Sequence, residues 1–296
     1  MDAILPLERA AAAHWRGTEE AWLGDWLLRA ADGFTGRANS ALPLGDPGRP
    51  AGAAIAAVTR WYRARGLPPM IAVPAPLDGD GDAPALDAEL ARRGWTLRAA
   101  PAFVMTADVP GSAQTAAGQP GLPAGLAFRA DRAPDDAWLA AYHYRGQQDP
   151  SPVMRAVLTS AADQLFISIR ATSAVPPSPA SPALPAFTPP PSASSPLSAS
   201  SPPAVAARAL PGSVAAIARL SLAAGWAGIT AVEVTPGRRQ SGLGRALTRE
   251  ALSQAAARGL DKVFLQVEAD NTPARRLYEQ AGFRYSHRYH YRLAPP

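Results

Sequence analysis

Val232-Glu-Val-Thr-Pro-Gly-Arg-Arg-Gln-Ser-Gly-Leu-Gly-Arg-Ala-Leu247 is the stretch that decides the reading of this 296-residue chain. An apolar strand ends at Pro236, and a short Gly-containing loop then runs straight into a helix. Glycines let a backbone approach a ligand closely and take up dihedrals closed to other residues. The unpaired amides at the start of a helix, together with its dipole, favour an anion there. Arg238, Arg239 and Arg245 add positive charge. The stretch therefore reads as a cradle for a pyrophosphate. It is not a P-loop, since GxxxxGK[ST] is absent, and it lacks the third glycine of a dinucleotide-binding GxGxxG.

Working outward, Leu165–Arg170 and Val214–Leu222 are short, apolar, partly alternating runs that read as paired strands. Between them lies the Pro/Ser/Ala-rich segment 171–206. Its low charge and low burial potential predict a disordered insertion in a hairpin loop. Strand Ile229–Thr235 follows, then a helix over about 242–257 with Leu243, Leu247 and Ala251 on one face. Lys262–Glu268 is a strand. A short helix opens near Pro273 and stops at Gly282, and Phe283–Leu293 closes as a strand or hairpin.

A second segment, Asn271-Thr-Pro-Ala274-Arg-Arg-Leu277-Tyr278-Glu-Gln-Ala-Gly282-Phe283, joins the first in fixed order. Together, Arg239-x-x-Gly242-x-Gly244 after Val234-Thr-Pro236, and N-x-x-A-x-x-L-Y-x-x-x-G-F, resemble the GCN5-related N-acetyltransferase (GNAT) superfamily over about residues 125–296. The resemblance implies an α/β (α+β) GNAT fold, with a mixed, splayed central sheet flanked by helices. It implies acetyl-CoA as co-substrate in a cleft where two parallel strands part. Val232 and Val234 would contact the pantetheine arm. The amides of Arg239, Gln240, Ser241, Gly242, Leu243 and Gly244, with Arg245 beside them, would hold the pyrophosphate. Asn271 would hydrogen-bond the cofactor, and Tyr278 would sit near the thioester sulfur.

Acetyl transfer needs a neutral amine and a proton for the departing thiolate. Tyr278 is the candidate acid, or else packs its helix on the sheet. Glu233, a carboxylate in mid-strand, is the candidate base, or else pairs with an arginine. His287 and His290 lie on opposite faces of the last strand by its period of two, so at most one faces the cleft. Tyr289 and Tyr291 share the face of His287 and either pack or line an acceptor pocket.

The first half repeats the order in outline. A hairpin is expected from Trp26–Ala30 and Arg37–Leu44. A helix over 51–64, a strand at Met70–Val73, a helix at Leu86–Arg93 and strand within Trp95–Thr106 follow. Ala64-Arg-Gly-Leu67 after the first long helix recurs as Ala257-Arg-Gly-Leu260 after the second. In this register Gly242 and Gly244 correspond to Arg49 and Ala51, and when the halves are aligned instead on their Gly-aromatic pairs, Gly94-Trp95 and Gly282-Phe283, Tyr278 corresponds to Leu90. The expected organisation is a degenerate GNAT-like lobe over 1–110, a turn-rich linker over 111–124 and the catalytic GNAT domain over 125–296. The degenerate lobe supports the active one or closes its acceptor pocket. Arg37, Asn39 and Ser40 form a polar cluster there, either holding a turn or serving that pocket. Through Trp26-Leu-Leu-Arg29 and Gly33-Phe34-Thr35-Gly36-Arg37-Ala38-Asn39-Ser40 in its first half, the whole chain also resembles bacterial two-part acetyltransferases often catalogued as N-acetylglutamate synthases, a resemblance that implies glutamate as acceptor. No residue here selects a dicarboxylate.

Composition narrows the classes. The chain is 47% hydrophobic and 18% charged, contains no cysteine, and has no apolar run of membrane-spanning length. A cytoplasmic protein without a signal peptide is expected. Acyl-cysteine intermediates and thiolate metal sites are excluded, and the four histidines lack the spacing of a helical zinc site. The formal charge of +5 is nearly all arginine, since Lys262 is the one lysine, and no basic run is interleaved with aromatics. No nucleic-acid, membrane or metal partner is therefore expected. The expectation is direct transfer of acetyl to a primary amine of a small molecule. A protein or peptide acetyltransferase, an acetyl-CoA-binding regulatory module and an interaction scaffold built on the Pro/Ser segment are the alternatives.

Overall fold

A computed structural model describes residues 3–77, 85–98, 101–111, 121–143, 151–172 and 212–296. The expected disordered insertion and most of the expected linker lie outside these residues. The elements in chain order are α1 (Ile4–Ala12), β1 (Glu19–Leu23), β2 (Trp26–Ala30), β3 (Leu42–Pro43), α2 (Ala51–Arg63), β4 (Met70–Ala75), α3 (Ala85–Arg92), β5 (Thr96–Leu97), β6 (Ala102–Asp108), β7 (Leu126–Asp131), α4 (Asp136–Ala140), α5 (Pro152–Leu158), β8 (Asp163–Ala171), β9 (Val214–Ala223), β10 (Trp226–Val234), α6 (Leu243–Ala256), β11 (Lys262–Glu268), α7 (Thr272–Gln280) and β12 (Arg284–Leu293).

The main sheet runs β4-β12-β6-β11-β10-β9-β8-β7, with β5 beside β12, and a small sheet β1-β2-β3 stands apart. Two of its features follow from the sequence pattern. β8 and β9 pair antiparallel over nearly their whole length, as the alternating runs flanking the Pro/Ser-rich segment predict. β10 and β11 are parallel, joined by α6, whose Leu243, Leu247, Ala251, Leu252 and Ala255 bury one stripe against the sheet. Burying each leucine contributes about 1.5–3 kcal/mol, so this stripe fixes where the helix starts.

The two halves share the main sheet. β6, from the first half, lies between β11 and β12 and is antiparallel to both, and β12 continues onto β4. The helix–strand–helix order α2-β4-α3 repeats as α6-β11-α7. α1, at the start of the chain, docks on the second half. Its following residue His14 bonds Ser221 Oγ at 2.9 Å and the Ala223 carbonyl at 3.0 Å, and burial pulls its pKa down to about 4.

The first hairpin differs from expectation. β2 pairs with β1 over five residues, whereas Arg37–Asn39 winds into a 3-10 turn and only Leu42–Pro43 reaches β2. The cause is Asn39. Its Oδ1 accepts the amides of Ala31 and Gly33, and its Nδ2 donates to the carbonyls of Phe34 and Thr35. These side-chain bonds offer the backbone an alternative to a ladder.

Candidate active site

The site forms where β10 bends away from β11. Their parallel ladder holds at Ala227↔Val263, Gly228↔Phe264 and Ile229↔Leu265 and then stops. β10 stays on β9 as far as Val234, and β11 stays on β6 as far as Glu268. A bulge between Thr230 and Glu233 turns β10 outward, with Ala231 in the left-handed region at φ 53°. A bulge twists a strand and leaves backbone groups unpaired. The result is a wedge flanked by Val232–Val234.

The loop after β10 closes the wide end of the wedge. Thr235 ties it down through its amide and hydroxyl, both donating to the Ala215 carbonyl at 3.0 Å. Ser241 Oγ donates to the Arg238 carbonyl. Gln240 at φ 60° and Gly242 at φ 80° turn the chain into α6, which has no side-chain cap. The amides of residues 240–245 donate to no acceptor among the described residues, so they form an exposed anion cradle of the kind a pyrophosphate fits. Arg238 and Arg239 border it. Arg245 is held over the start of α6 by Gln280 Oε1 at 2.7 Å.

The two glycines do different work. Gly242 supplies the left-handed conformation, with open space where a Cβ would stand. Gly244 has an ordinary helical backbone, and a Cβ there would lie 3.4 Å from Leu277 Cδ2 and 3.9 Å from Val234 Cγ2. A methyl group there would make ordinary contact with both, and a longer side chain would have to displace them.

On α7, Asn271 is exposed and caps its own helix by accepting the Ala274 amide at 3.2 Å. Tyr278 is buried in the same apolar cluster as Leu243, with Val232 and Val234 packed against it. Its ring meets Phe283 edge-on at 5.9 Å, and its hydroxyl makes no hydrogen bond among the described residues. Burial alone raises its pKa well above the ordinary phenol value, so the proton is held.

Glu233 lies half-buried on the side of the sheet occupied by α4. Its Oε1 accepts the His143 amide at 2.8 Å, and its Oε2 lies 3.5 Å from His143 Nδ1. Burial raises its pKa above the ordinary glutamate value, against the opposing pull of His143 and Arg239. A carboxylate whose basicity is raised in this way accepts a proton more readily than a free glutamate does. His143 carries no motif and was not legible in the sequence.

The other sequence candidates lie elsewhere. His287 is fully buried against Glu8 at 2.7 Å, and His290 bonds Asp87 at 2.6 Å. Asn39 and Ser40 serve the turn described above and the Arg29 side chain. Arg37, by contrast, reaches across to β11 and donates to Gln266 Oε1 at 2.9 Å. With Tyr289 and Tyr291 it lines a small interior cavity beside Thr230. Among the described residues, no group of three or more histidine, aspartate or glutamate side chains is arranged to hold a metal ion, and no helix is long and apolar enough to cross a membrane.

Comparison with known proteins agrees with this geometry. The family described as probable histone acetyltransferase Rv0428c C-terminal matches residues 2–175, and the acetyltransferase (GNAT) family matches residues 183–283. The chain is 36% identical over 146 residues to a probable histone acetyltransferase of Mycobacterium tuberculosis, covering 48% of this chain and 39% of that protein. It is 46% identical over 78 residues to a mycothiol acetyltransferase of Clavibacter michiganensis, covering 26% of each. The matches thus span well under half the length of these curated relatives. A GCN5-related N-acetyltransferase structure from Kribbella flavida superposes with a TM-score of 0.58 at 16% identity, over 95% of this chain and 90% of that one. A tandem GNAT protein from the clavulanic acid biosynthesis pathway gives 0.59 at 17% identity, over 87% and 76%. A splayed mixed sheet, a bare helix start after the outer strand and these matches lead to one conclusion: the chain belongs to the Rv0428c C-terminal family of probable acetyltransferases, and has a tandem architecture whose second half is of the GNAT acetyltransferase family.

Proposed function

We propose that the protein is an acetyl-CoA-dependent N-acetyltransferase, which moves acetyl directly to a primary amine of a small molecule in the cytoplasm. The single observation that carries this is the row of unpaired amides at 240–245 beside the β10–β11 wedge. Bound there, acetyl-CoA would supply an activated thioester carbonyl as the acetyl donor. The chain's own residues supply the rest. The amides of Arg239–Gly244 and the arginines around them hold the pyrophosphate, and Arg245 adds charge. The backbone of Val232 and Val234 would contact the pantetheine arm, and Asn271 would hydrogen-bond the cofactor. Glu233, positioned by His143, takes the proton of the incoming ammonium directly or through water. Tyr278 holds a proton at Oη for the departing sulfur.

The relatives carry acceptor names of two kinds, one a histone and one mycothiol. Glutamate, suggested by the resemblance to two-part acetyltransferases, is a third candidate and belongs in the first acceptor screen. Calorimetric titration of acetyl-CoA, followed by assays of CoA release with amino acids, polyamines, aminosugars and peptides, tests the proposal. Binding without turnover on any amine would leave a regulatory module. Turnover on peptides alone would make the protein a peptide acetyltransferase.

A further inference from the structure

A cavity of about 650 Å³ opens in the first half between β4 and the helices α2 and α3, bordered by Trp26, Pro43, Pro47, Val73, Pro74 and Leu86. That is the size of a site for a small organic molecule. It stands apart from the acetyl-transfer chemistry. Successive residues of a strand point to opposite faces. Leu42 and Ala72 border the small interior cavity beside Thr230, whereas their chain neighbours Pro43 and Val73 border this one. The strands β3 and β4 therefore lie between the two spaces.

The walls of this cavity are apolar and set in advance. Proline fixes its own φ, and three of the six bordering residues named are prolines. Trp26 is locked by its indole N–H, which donates to the Gly45 carbonyl at 3.2 Å. Its polar atom is thus satisfied, and the ring offers a guest only apolar area. A rigid wall favours a rigid guest, because neither has much freedom to lose on binding. Aromatic rings meet an indole in offset or edge-on geometries that add to their area burial.

The mouth of the cavity is positive. Arg49 borders it, is exposed, and makes no ion pair or hydrogen bond among the described residues. Glu89 is shared by Arg92 and by Arg93, the latter at 2.6 Å, so three guanidinium groups stand against one carboxylate. Arg93 lies directly over Gly52 in the first turn of α2. The other acid of α3, Asp87, is taken by His290 and Arg292. The amides of Ala51 and Gly52 have no acceptor among the described residues. One uncommitted guanidinium and two amides match the two oxygens of a single carboxylate. They fall short of the longer run of amides at 240–245 that fits a pyrophosphate.

We propose that the first-half cleft is a binding site, separate from the acetyl-transfer wedge, for an apolar monocarboxylate with a rigid, ring-bearing body. The body lies against Trp26, Val73, Leu86 and the prolines, and the carboxylate meets Arg49 at the start of α2. Neutral molecules of the same shape bury the same area but leave the positive mouth unanswered. Acetyl-CoA is not the guest, since its phosphates find no cradle there.

The test titrates the full chain with biphenylcarboxylate and with its neutral carboxamide, by calorimetry and by thermal melting. The carboxylate should bind once per chain, at least about tenfold tighter than the carboxamide, and raise the melting temperature. Arg49→Gln removes the receiver, and Ala51→Glu sets a fixed carboxylate in its place. Each should reduce the preference to within about threefold. Leu86→Trp fills the cavity and should weaken both compounds by at least about tenfold. Acetyl-CoA affinity should be unchanged in all three variants. Positions 49 and 51 are exposed, so those two variants decide the matter even if Leu86→Trp folds poorly. Equal affinity for the two compounds, binding of neither, or a preference that survives Arg49→Gln and Ala51→Glu overturns the proposal. So does displacement of biphenylcarboxylate by saturating acetyl-CoA, which would place it in the wedge, or equal stabilisation by inorganic phosphate, which would mark a free-anion site. Failure of acetyl-CoA itself to bind would count against the donor-site reading and leave this test intact.

Discussion

The molecule contains two wedges built in the same order, and only one of them has a usable rim. In the second half, β10 and β11 run parallel for three residue pairs and part before α6. In the first half, the chain entering β3 meets β4 in a single parallel bridge, Ala41↔Ile71, ahead of α2. The first-half cleft holds a cavity of about 650 Å³ bordered by Pro43, Arg49, Ala51, Val73 and Leu86, larger than the cavity of about 250 Å³ beside Ser241, Gly242 and Arg245 at the start of α6. The difference lies in the helix starts. Pro50 has no amide to offer, and its carbonyl takes the amides of both Ala53 and Ala54. At the start of α2 only the amides of Ala51 and Gly52 are left without an acceptor among the described residues, whereas at α6 the whole run 240–245 is. Volume does not make an anion site; a run of uncommitted N–H groups does.

The comparison is most exposed to failure at Gly244. Gly244→Glu should abolish acetyl-CoA binding in calorimetry, a loss of at least about a thousandfold. The carboxylate must displace Leu277 or Val234 and sets negative charge at the helix start. Gly244→Ala should bind nearly as well as the wild type, since its Cβ meets Leu277 at ordinary contact distance. Normal binding by Gly244→Glu would remove the distinction between the two helix starts.

Next in size is Tyr278→Phe, the counterpart of Leu90 in the first half. It retains the ring in its apolar cluster and loses the proton, so turnover should fall about 100-fold with acetyl-CoA affinity kept. Full turnover would make the phenol a packing group only.

Glu233 gives a smaller effect that depends on pH. Its folded pKa is raised by burial, and the base works ionised. Turnover should therefore decline as pH falls through a value above the ordinary 4.5 of glutamate. Glu233→Gln should lower kcat at neutral pH by about tenfold or more and remove that acid limb. An unchanged profile would leave the proton to water alone.

The smallest expected effect is none. Ala51→Glu, in the register of Gly244, should leave acetyl-CoA affinity unaltered and the stoichiometry at one per chain. Two sites by calorimetry, or a loss of binding in this variant, would show that the larger cleft also takes the cofactor.

These contrasts also explain what could be read in advance. The second half was legible because its signals are local. Alternation marks β8 and β9, Gly242 precedes a periodic helix, and Asn271 and Pro273 open another. The loop after Pro236 leads into α6 at Leu243, as its order predicts. The 3-10 turn at Arg37–Asn39 was misread as strand because four bonds from one asparagine side chain, to backbone groups four to eight residues away, decide it and no apolar pattern signals them. The neighbours of Gly244, Leu277 and Val234, could not be read locally either, since Leu277 lies across a helix interface. His143 beside Glu233, and Arg37 beside Gln266, are 90 and 229 residues apart. No local pattern announces such pairs.

The position of β6 between β11 and β12 also has a consequence for how the polypeptide matures. As the chain leaves the ribosome, Ala102–Asp108 is complete long before either of its neighbours exists. Both its edges stay unsatisfied until more than 150 further residues, including the Pro/Ser/Ala-rich stretch, have been made. Pairings this distant in sequence form slowly, and bare strand edges invite partners from other chains. Yield on expression should consequently respond to chaperone supply and to translation rate more than the native stability alone would suggest, and an isolated second half should be poorly soluble for want of the strand that separates its last two.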